Sequence, residues 1–262
     1  MSLFTIDYNK AGPGVSRDTP RKTGFSRILE VLARDWFSFW KAGFLLLLSA
    51  VPAVLGIGIA IATNSILLLL ASAALGGLLA GPQLCGLTDT ILRSLRDEAG
   101  FWWHTYLQAW KRNVRVSLLP GAITGLLLGM QAFVLSHLDQ LTMTPSFTVL
   151  LLLSSLLMIG LALLLWAQLA LFELPIGQLL RNALLLFLLS PARTLGAVAT
   201  QGIYWGLLWL FAPASLSFLV LTGAWFPFLI SLFLLYQPME KAFDLENSIQ
   251  KIQEEKYTSS TF

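Results

Sequence analysis

Few side chains in this sequence have the type and spacing to do chemistry, and most of them lie in or beside long apolar runs. Asp89 and Glu173 are acids within a turn or two of the ends of such runs. An acid in that setting marks an ion or proton path when it belongs to a chain of acids, and an interfacial ion pair when a cation stands beside it. Arg93 and Arg96 follow Asp89 closely, which favours pairing, and no second acid lies deeper in either run. The amides Gln83, Gln168 and Gln201 are the other candidates. At 1.5 Å per helical residue they fall roughly 8 to 15 Å inside the runs. With Asp89 they could line a polar vestibule open on one side, or each could hydrogen-bond between two helices.

The remaining reactive types are sparse. His104 follows Asp97 and Glu98, but one imidazole on a charged segment reads as a solvated face rather than a metal site. His137, alone at the end of a run, reads as a headgroup contact. Cys85 is the only cysteine, so the chain forms no internal disulfide and no cysteine-based zinc site; it reads as a packed thiol. There is no glycine-rich phosphate loop, no His-x-x-x-His pair and no Gly-x-Ser-x-Gly elbow. The expectation is a protein that is not an enzyme and that carries no cofactor and no metal.

The elements that must position these residues are set by solvent. Of 262 residues 56% are hydrophobic and 12% charged, against about a quarter charged in a soluble domain. The chain is therefore read as all-α and polytopic, with the lipid bilayer as its first partner. Its net charge of +3 offers no basic surface of the size nucleic acid requires. A transmembrane helix needs roughly 20 apolar residues, and six stretches qualify: 42–62, 65–92, 114–137, 147–172, 192–211 and 214–236. The turns "TNS" and "APAS" are short enough to demand tight helical hairpins. All 17 Lys and Arg residues fall on one side of this arrangement: seven before the first span, five in 93–115, two between the fourth and fifth spans and three after the sixth. Cations are retained on the cytoplasmic side, so both termini are expected there.

Residues 1–24 read as a flexible cytosolic arm, 25–237 as a single membrane domain and 238–262, from Pro238, as a cytosolic tail helix. Within the domain, Trp103, Tyr106, Leu107, Trp110 and Val114 share one helical face, while His104, Gln108, Lys111 and Arg115 share the other; Arg112 adds a further cation. That is the pattern of an amphipathic helix lying at the headgroups. Phe25, Ile28, Leu29, Leu32, Trp36 and Phe39 against Arg27, Arg34, Ser38 and Lys41 repeat it, and a third copy starts near Ile176. The chain thus reads as three tandem units, about 25–95, 101–173 and 176–236, each an interfacial elbow followed by two spans. Glycines at four-residue spacing, namely Gly77 and Gly81, Gly121, Gly125 and Gly129, and Gly202 and Gly206, are expected to let helix backbones touch. The Arg96, Asp97, Glu98 run before Gly100 reads as a helix end with a glycine-assisted turn.

The segment "AGPQLCGLTDTILRSLRDEAGFWWHTYLQAWKRNVRVSLLPG" and a second, "LLRNALLLFLLSPARTL", resemble the YesL family of bacterial integral membrane proteins. The likeness runs through Gly81, Pro82, Arg93, the Arg96 to Glu98 run, Gly100 and Lys111 to Asn113, then Arg181, Asn182, Pro191 and Arg193. The longer N-terminal arm and Gln83, Leu84 and Cys85 depart from it. The resemblance implies an accessory component of carbohydrate uptake, of the kind found with ABC-type sugar permeases in Gram-positive bacteria. It brings no catalytic residues. The expected partners are a permease, another membrane protein or a second copy of the chain; the competing expectation is a small-solute transporter or channel lined by the three glutamines.

Overall fold

The structure is a computed structural model, and it describes residues 22–98, 100–138, 144–245 and 247. The arm at 1–21 and the tail beyond 247 lie outside the described residues. Among the described residues eight helices follow one another: α1 (Phe25–Ala62), α2 (Ile66–Leu95), α3 (Trp102–Ser136), α4 (Pro145–Leu171), α5 (Ile176–Leu189), α6 (Pro191–Leu210), α7 (Ser215–Thr222) and α8 (Trp225–Phe243). Helices α1 to α4 are each long and apolar enough to cross a membrane, and α5 with α6 make a fifth candidate if that bent pair is one span.

Local chemistry explains where these helices stop. Asn64 closes α1 in the left-handed region at φ 52°, a conformation Asn tolerates better than most residues. Ser65 then accepts a hydrogen bond from the Leu68 N–H and starts α2. Thr144 does the same for Phe147, with Pro145 at the first helical position of α4, where its missing N–H costs nothing. The tight hairpin expected at "TNS" is present.

Three expectations about elements are corrected. The first two elbows are not separate helices. Residues 25–41 continue into the apolar part of α1, and 102–115 into that of α3, because neither junction carries a proline or a helix-breaking turn. The 38 residues of α1 reach roughly 57 Å, nearly twice the roughly 30 Å of hydrocarbon. Only the third elbow is distinct: α5 and α6 meet at 103°, where Pro191 removes a donor and holds Ser190 out of the helical region. The stretch 214–236 is not one helix but two, broken at Gly223 with φ 54°. Finally, Pro238 does not begin a new helix, since α8 runs through it to Phe243.

Packing divides the molecule. Helices α1, α2 and α3 form a close core in which the α2–α3 seam is made of glycines. A side chain at Gly77 would strike the Gly121 carbonyl, one at Gly81 the Ser117 carbonyl, and one at Gly125 the Ala73 carbonyl; Gly129 lies over the Ala73 side chain. The triple-glycine face of α3 is thus covered by α2 within the chain. Of the remaining helices, α4 runs along α3 from Arg112, which donates to the Ala170 carbonyl, to Gln131, which donates to Ser155, while α7 and α8 dock on α1. Trp225, fully buried, stacks on Phe39 and meets Trp36 edge-on, in a space that Gly43 leaves open. Trp40 Nε1 donates to the Val220 carbonyl at 3.1 Å. Helix α5 folds back along α4, so that its Phe187, with Thr194 from the start of α6, reaches Gly160 near the middle of α4, and Phe243 meets Phe172. The contacts to α1 from α7, α8 and the turn between them run from Trp36 to Leu47, just past its midpoint.

Candidate functional site

The densest chemistry lies where the start of α1, the end of α2 and the start of α3 meet. Arg27 and Arg34 are seven residues apart, so they share a face of α1, and both reach the turn after α2. Arg27 Nη2 donates to Asp97 Oδ2 at 2.7 Å and to the Leu95 carbonyl at 3.0 Å, while its Nη1 meets Glu30 at 3.0 Å. Arg34 Nη1 donates to Asp97 Oδ1, its Nη2 to the Ser94 carbonyl at 2.6 Å, and its Nε to Asp35 at 2.9 Å. Ser94 Oγ donates to Asp35. Asp97 is therefore gripped by two guanidinium groups, one on each carboxylate oxygen.

The backbone at Asp97 explains why an aspartate sits there. The Asp97 N–H donates to the Ser94 carbonyl and the Glu98 N–H to that of Arg93, the paired pattern that closes a helix with a left-handed residue, usually glycine. Here that residue is Asp97, at φ 60°. Sequence reasoning assigned the turn to Gly100; the left-handed position is instead taken three residues earlier, by the residue whose carboxylate the arginines hold. The side chain offsets a backbone cost of order 1 kcal/mol. Partial burial works to raise the Asp97 pKa, but the hydrogen bonds from Arg34 and Arg27, with their charges, outweigh it and keep the group below its ordinary value.

A second ladder runs beside the first. Asp89, buried one turn and a half before the end of α2, accepts from Arg93 Nε at 2.7 Å, and Arg112 Nη2 approaches it to 3.8 Å. Arg93 also meets Glu98 at 3.0 Å, Arg96 Nε donates to Glu98 at 2.6 Å, and Arg112 donates to the Ala170 carbonyl at the end of α4. Asp89 thus pairs with Arg93 as its spacing suggested, whereas Arg96 turns to Glu98. Arginines 27, 34, 93, 96 and 112 balance Glu30, Asp35, Asp89, Asp97 and Glu98 one for one. Between the ladders, Asp35, Arg93, Ser94, Glu98, Trp102 and Thr105 line a space of about 60 Å³, room for little more than a water or two. This is a knot that ties three helices.

The segment opening α3 packs on α2 through its smaller residues and leaves Trp103 on the outside. Tyr106, Ala109, Asn113, Ser117, Pro120 and Gly121 form the buried line, whereas Trp103 is exposed and Trp110 half-buried. Lys111, Arg112 and Arg115 are exposed as expected, with His104 and Gln108 on the same side. The buried line is that of smaller residues with Tyr106, which fits the close α2 contact at Gly77, Gly81 and Gly86. Trp102 carries Lys41 over its ring at 5.1 Å.

The three amides do not converge. Gln83 accepts from the Tyr106 hydroxyl between α2 and α3. Gln168 is fully buried in α4, where its Nε2 donates to the Leu164 carbonyl at 3.1 Å and its Oε1 finds no donor. Gln201 joins Ser231 at 3.0 Å between α6 and α8 and accepts from Trp205. Of the two readings, Gln83 and Gln201 follow that of hydrogen bonds between helices, Gln168 bonds within its own helix, and the three do not meet in one vestibule. Glu173 is exposed in the α4–α5 connection, His137 bonds Asn64 at 2.7 Å across the α1–α2 hairpin, and Cys85 is buried. Gly202 and Gly206, unlike the other five glycines singled out, meet nothing within 4 Å of where a side chain would stand.

The broken helix creates a further site that sequence reasoning did not single out. At the α5–α6 corner, Leu186, Leu189, Ser190, Pro191, Ala192 and Arg193 face Pro238, Lys241 and Ala242 of α8 across a groove of about 500 Å³. The Ser-Pro dipeptide between an apolar helix and an Arg was its only signal in the sequence. No family model, no curated protein and no solved structure matches this chain.

Proposed function

We propose that this chain is an integral membrane protein without catalytic activity of its own that works by associating with another membrane protein, a carbohydrate importer of the ABC type being the partner class its resemblance to the YesL family implies. The observation that carries this reading is the open glycine face of α6. In lipid, small residues four apart let a second helix approach closely. Five of the seven such glycines are used inside the chain, while Gly202 and Gly206 stand open beside exposed Ile203, Leu207 and Leu210. The charged knot supports the same reading, since its groups are spent on each other and on backbone carbonyls rather than aimed into a reaction chamber.

Both termini belong on the cytosolic side, where the cations collect. Four full crossings by α1 to α4 satisfy that rule if α5 to α8 enter and leave from the inner face. The docking of α7 and α8 on Trp36 to Leu47, which goes no further than the first third of the apolar stretch 42–62 of α1, supports this over six full crossings. The protein belongs in the bacterial cytoplasmic membrane.

The test is isolation of the native protein from its own membranes in a mild detergent that preserves known importer complexes. The reading expects a stoichiometric permease component in the same particle. A homogeneous monomer, or a particle made only of copies of this chain, would overturn it.

A further inference from the structure

We infer that the groove at the α5–α6 corner is a binding site for an anionic phospholipid, with the headgroup phosphate held between Arg193 and Lys241 and an acyl chain laid along Leu186 and Leu189. Four observations converge on it. The groove, about 500 Å³, lies within the roughly 300–1,000 Å³ typical of ligand sites. Its charged side chains, Arg193 from α6 and Lys241 from α8, are both cations, and neither makes an ion pair or side-chain hydrogen bond among the described residues. That contrasts with the knot at α1 to α3, where every arginine has a carboxylate or carbonyl partner. Two cations that line one groove with no acid in its wall favour an anion placed between them.

The chemistry of the walls selects among anions. Leu188 and Leu189 are 66% and 76% exposed, so the groove opens onto a leucine surface of α5 that faces lipid rather than water. A free phosphate would use the cations and leave that wall empty; a phospholipid uses both. Basic pockets between membrane helices on the cytoplasmic side bind anionic headgroups in this way, and the first turn of α6, whose N–H groups are not all used within the helix, adds partial positive charge at the corner. The bound lipid would brace the 103° bend against α8, linking the two helices through a molecule of the membrane itself.

This inference rests on the membrane reading and not on the partner, so the two fail separately. The full-length protein in detergent is titrated with phosphatidylglycerol and, separately, with phosphatidylcholine, and bound lipid is counted by native mass spectrometry. Phosphatidylglycerol should be retained in preference. In the double variant Arg193→Gln, Lys241→Gln its affinity should fall roughly thirtyfold, taking the contribution usual for two cations at an anionic surface. The control variant Lys111→Gln, Arg115→Gln, which removes two exposed cations of α3, should bind as the parent does. Equal loss in both variants would reduce the effect to general charge attraction and overturn the site. Equal retention of phosphatidylcholine would also overturn it, as would displacement of the lipid by millimolar inorganic phosphate, which would make the site one for free phosphate. Melting temperatures of both variants close to the parent's establish that the comparison is between folded proteins.

Discussion

Asp97 combines two demands in one residue: its backbone closes α2 in a conformation suited to glycine, and its carboxylate holds Arg27 and Arg34. The two can be separated by substitution. Asp97→Asn keeps a side chain that tolerates the left-handed region but removes the charge, whereas Asp97→Ala loses both, so alanine should be the more destabilising by about 1 kcal/mol. Asp97→Gly should fall near asparagine, having lost the ion pairs and relieved the backbone. Thermal unfolding of the detergent-solubilised variants measures the order, and an alanine variant as stable as the asparagine one would refute the backbone role. The charge also sets a pH dependence. Because the folded-state pKa of Asp97 is lowered, its contribution is present above the ordinary aspartate value of about 4 and is lost as pH falls through the folded value below it. The parent should therefore lose more stability than Asp97→Asn between pH 5 and pH 3. At this scale the sequence was partly legible. The Asp89 and Arg93 pair follows from i, i+4 spacing, but the grip on Asp97 joins residues some seventy positions apart, and only the fold brings them together.

At the scale of elements, apolar length identified α1 to α4, whereas the caps Ser65 and Thr144, which fix where two of them start, emerge only in the structure. What pattern could not show was continuity. Amphipathic and fully apolar stretches follow one another in α1 and α3 without a break, since a change of solvent along a helix axis alters its side chains and not its backbone. The reverse error occurred at 214–236, where uniform apolarity hid the break that Gly223 makes through its backbone angle. The glycine seam gives a sharp prediction. Gly121→Leu places a side chain against the Gly77 carbonyl and should force α2 and α3 apart, costing roughly 1–3 kcal/mol or preventing folding. Gly206→Leu, at an open position, should leave the melting temperature within a degree or two of the parent, about the effect of 0.5 kcal/mol. Equal sensitivity at both sites would mean that the seam between α2 and α3 has been misplaced.

For the whole molecule, hydropathy pointed to an all-helical chain with helices long and apolar enough to cross a membrane, as the structure has them, yet the pattern of cations could not say how α5 to α8 sit, because a broken pair that returns to its starting face and a pair that crosses twice leave the same charges on the same side. The turn at 212–214 separates the two arrangements. A single cysteine at Ala214, in a chain with Cys85 replaced by Ala, should be labelled by an impermeant thiol reagent only from the cytosolic side; labelling from outside would establish six crossings. The central claim concerns the face that α6 leaves open. The most direct measurement places a photo-reactive residue at Leu210, one turn beyond Gly206 on the same helix, and, for comparison, at Val54 on the exposed side of α1, and irradiates intact cells. The account predicts a discrete adduct with another membrane protein from position 210, lost when Gly202 and Gly206 are both changed to Leu, and lipid adducts alone from position 54. Lipid adducts alone from both positions would contradict it.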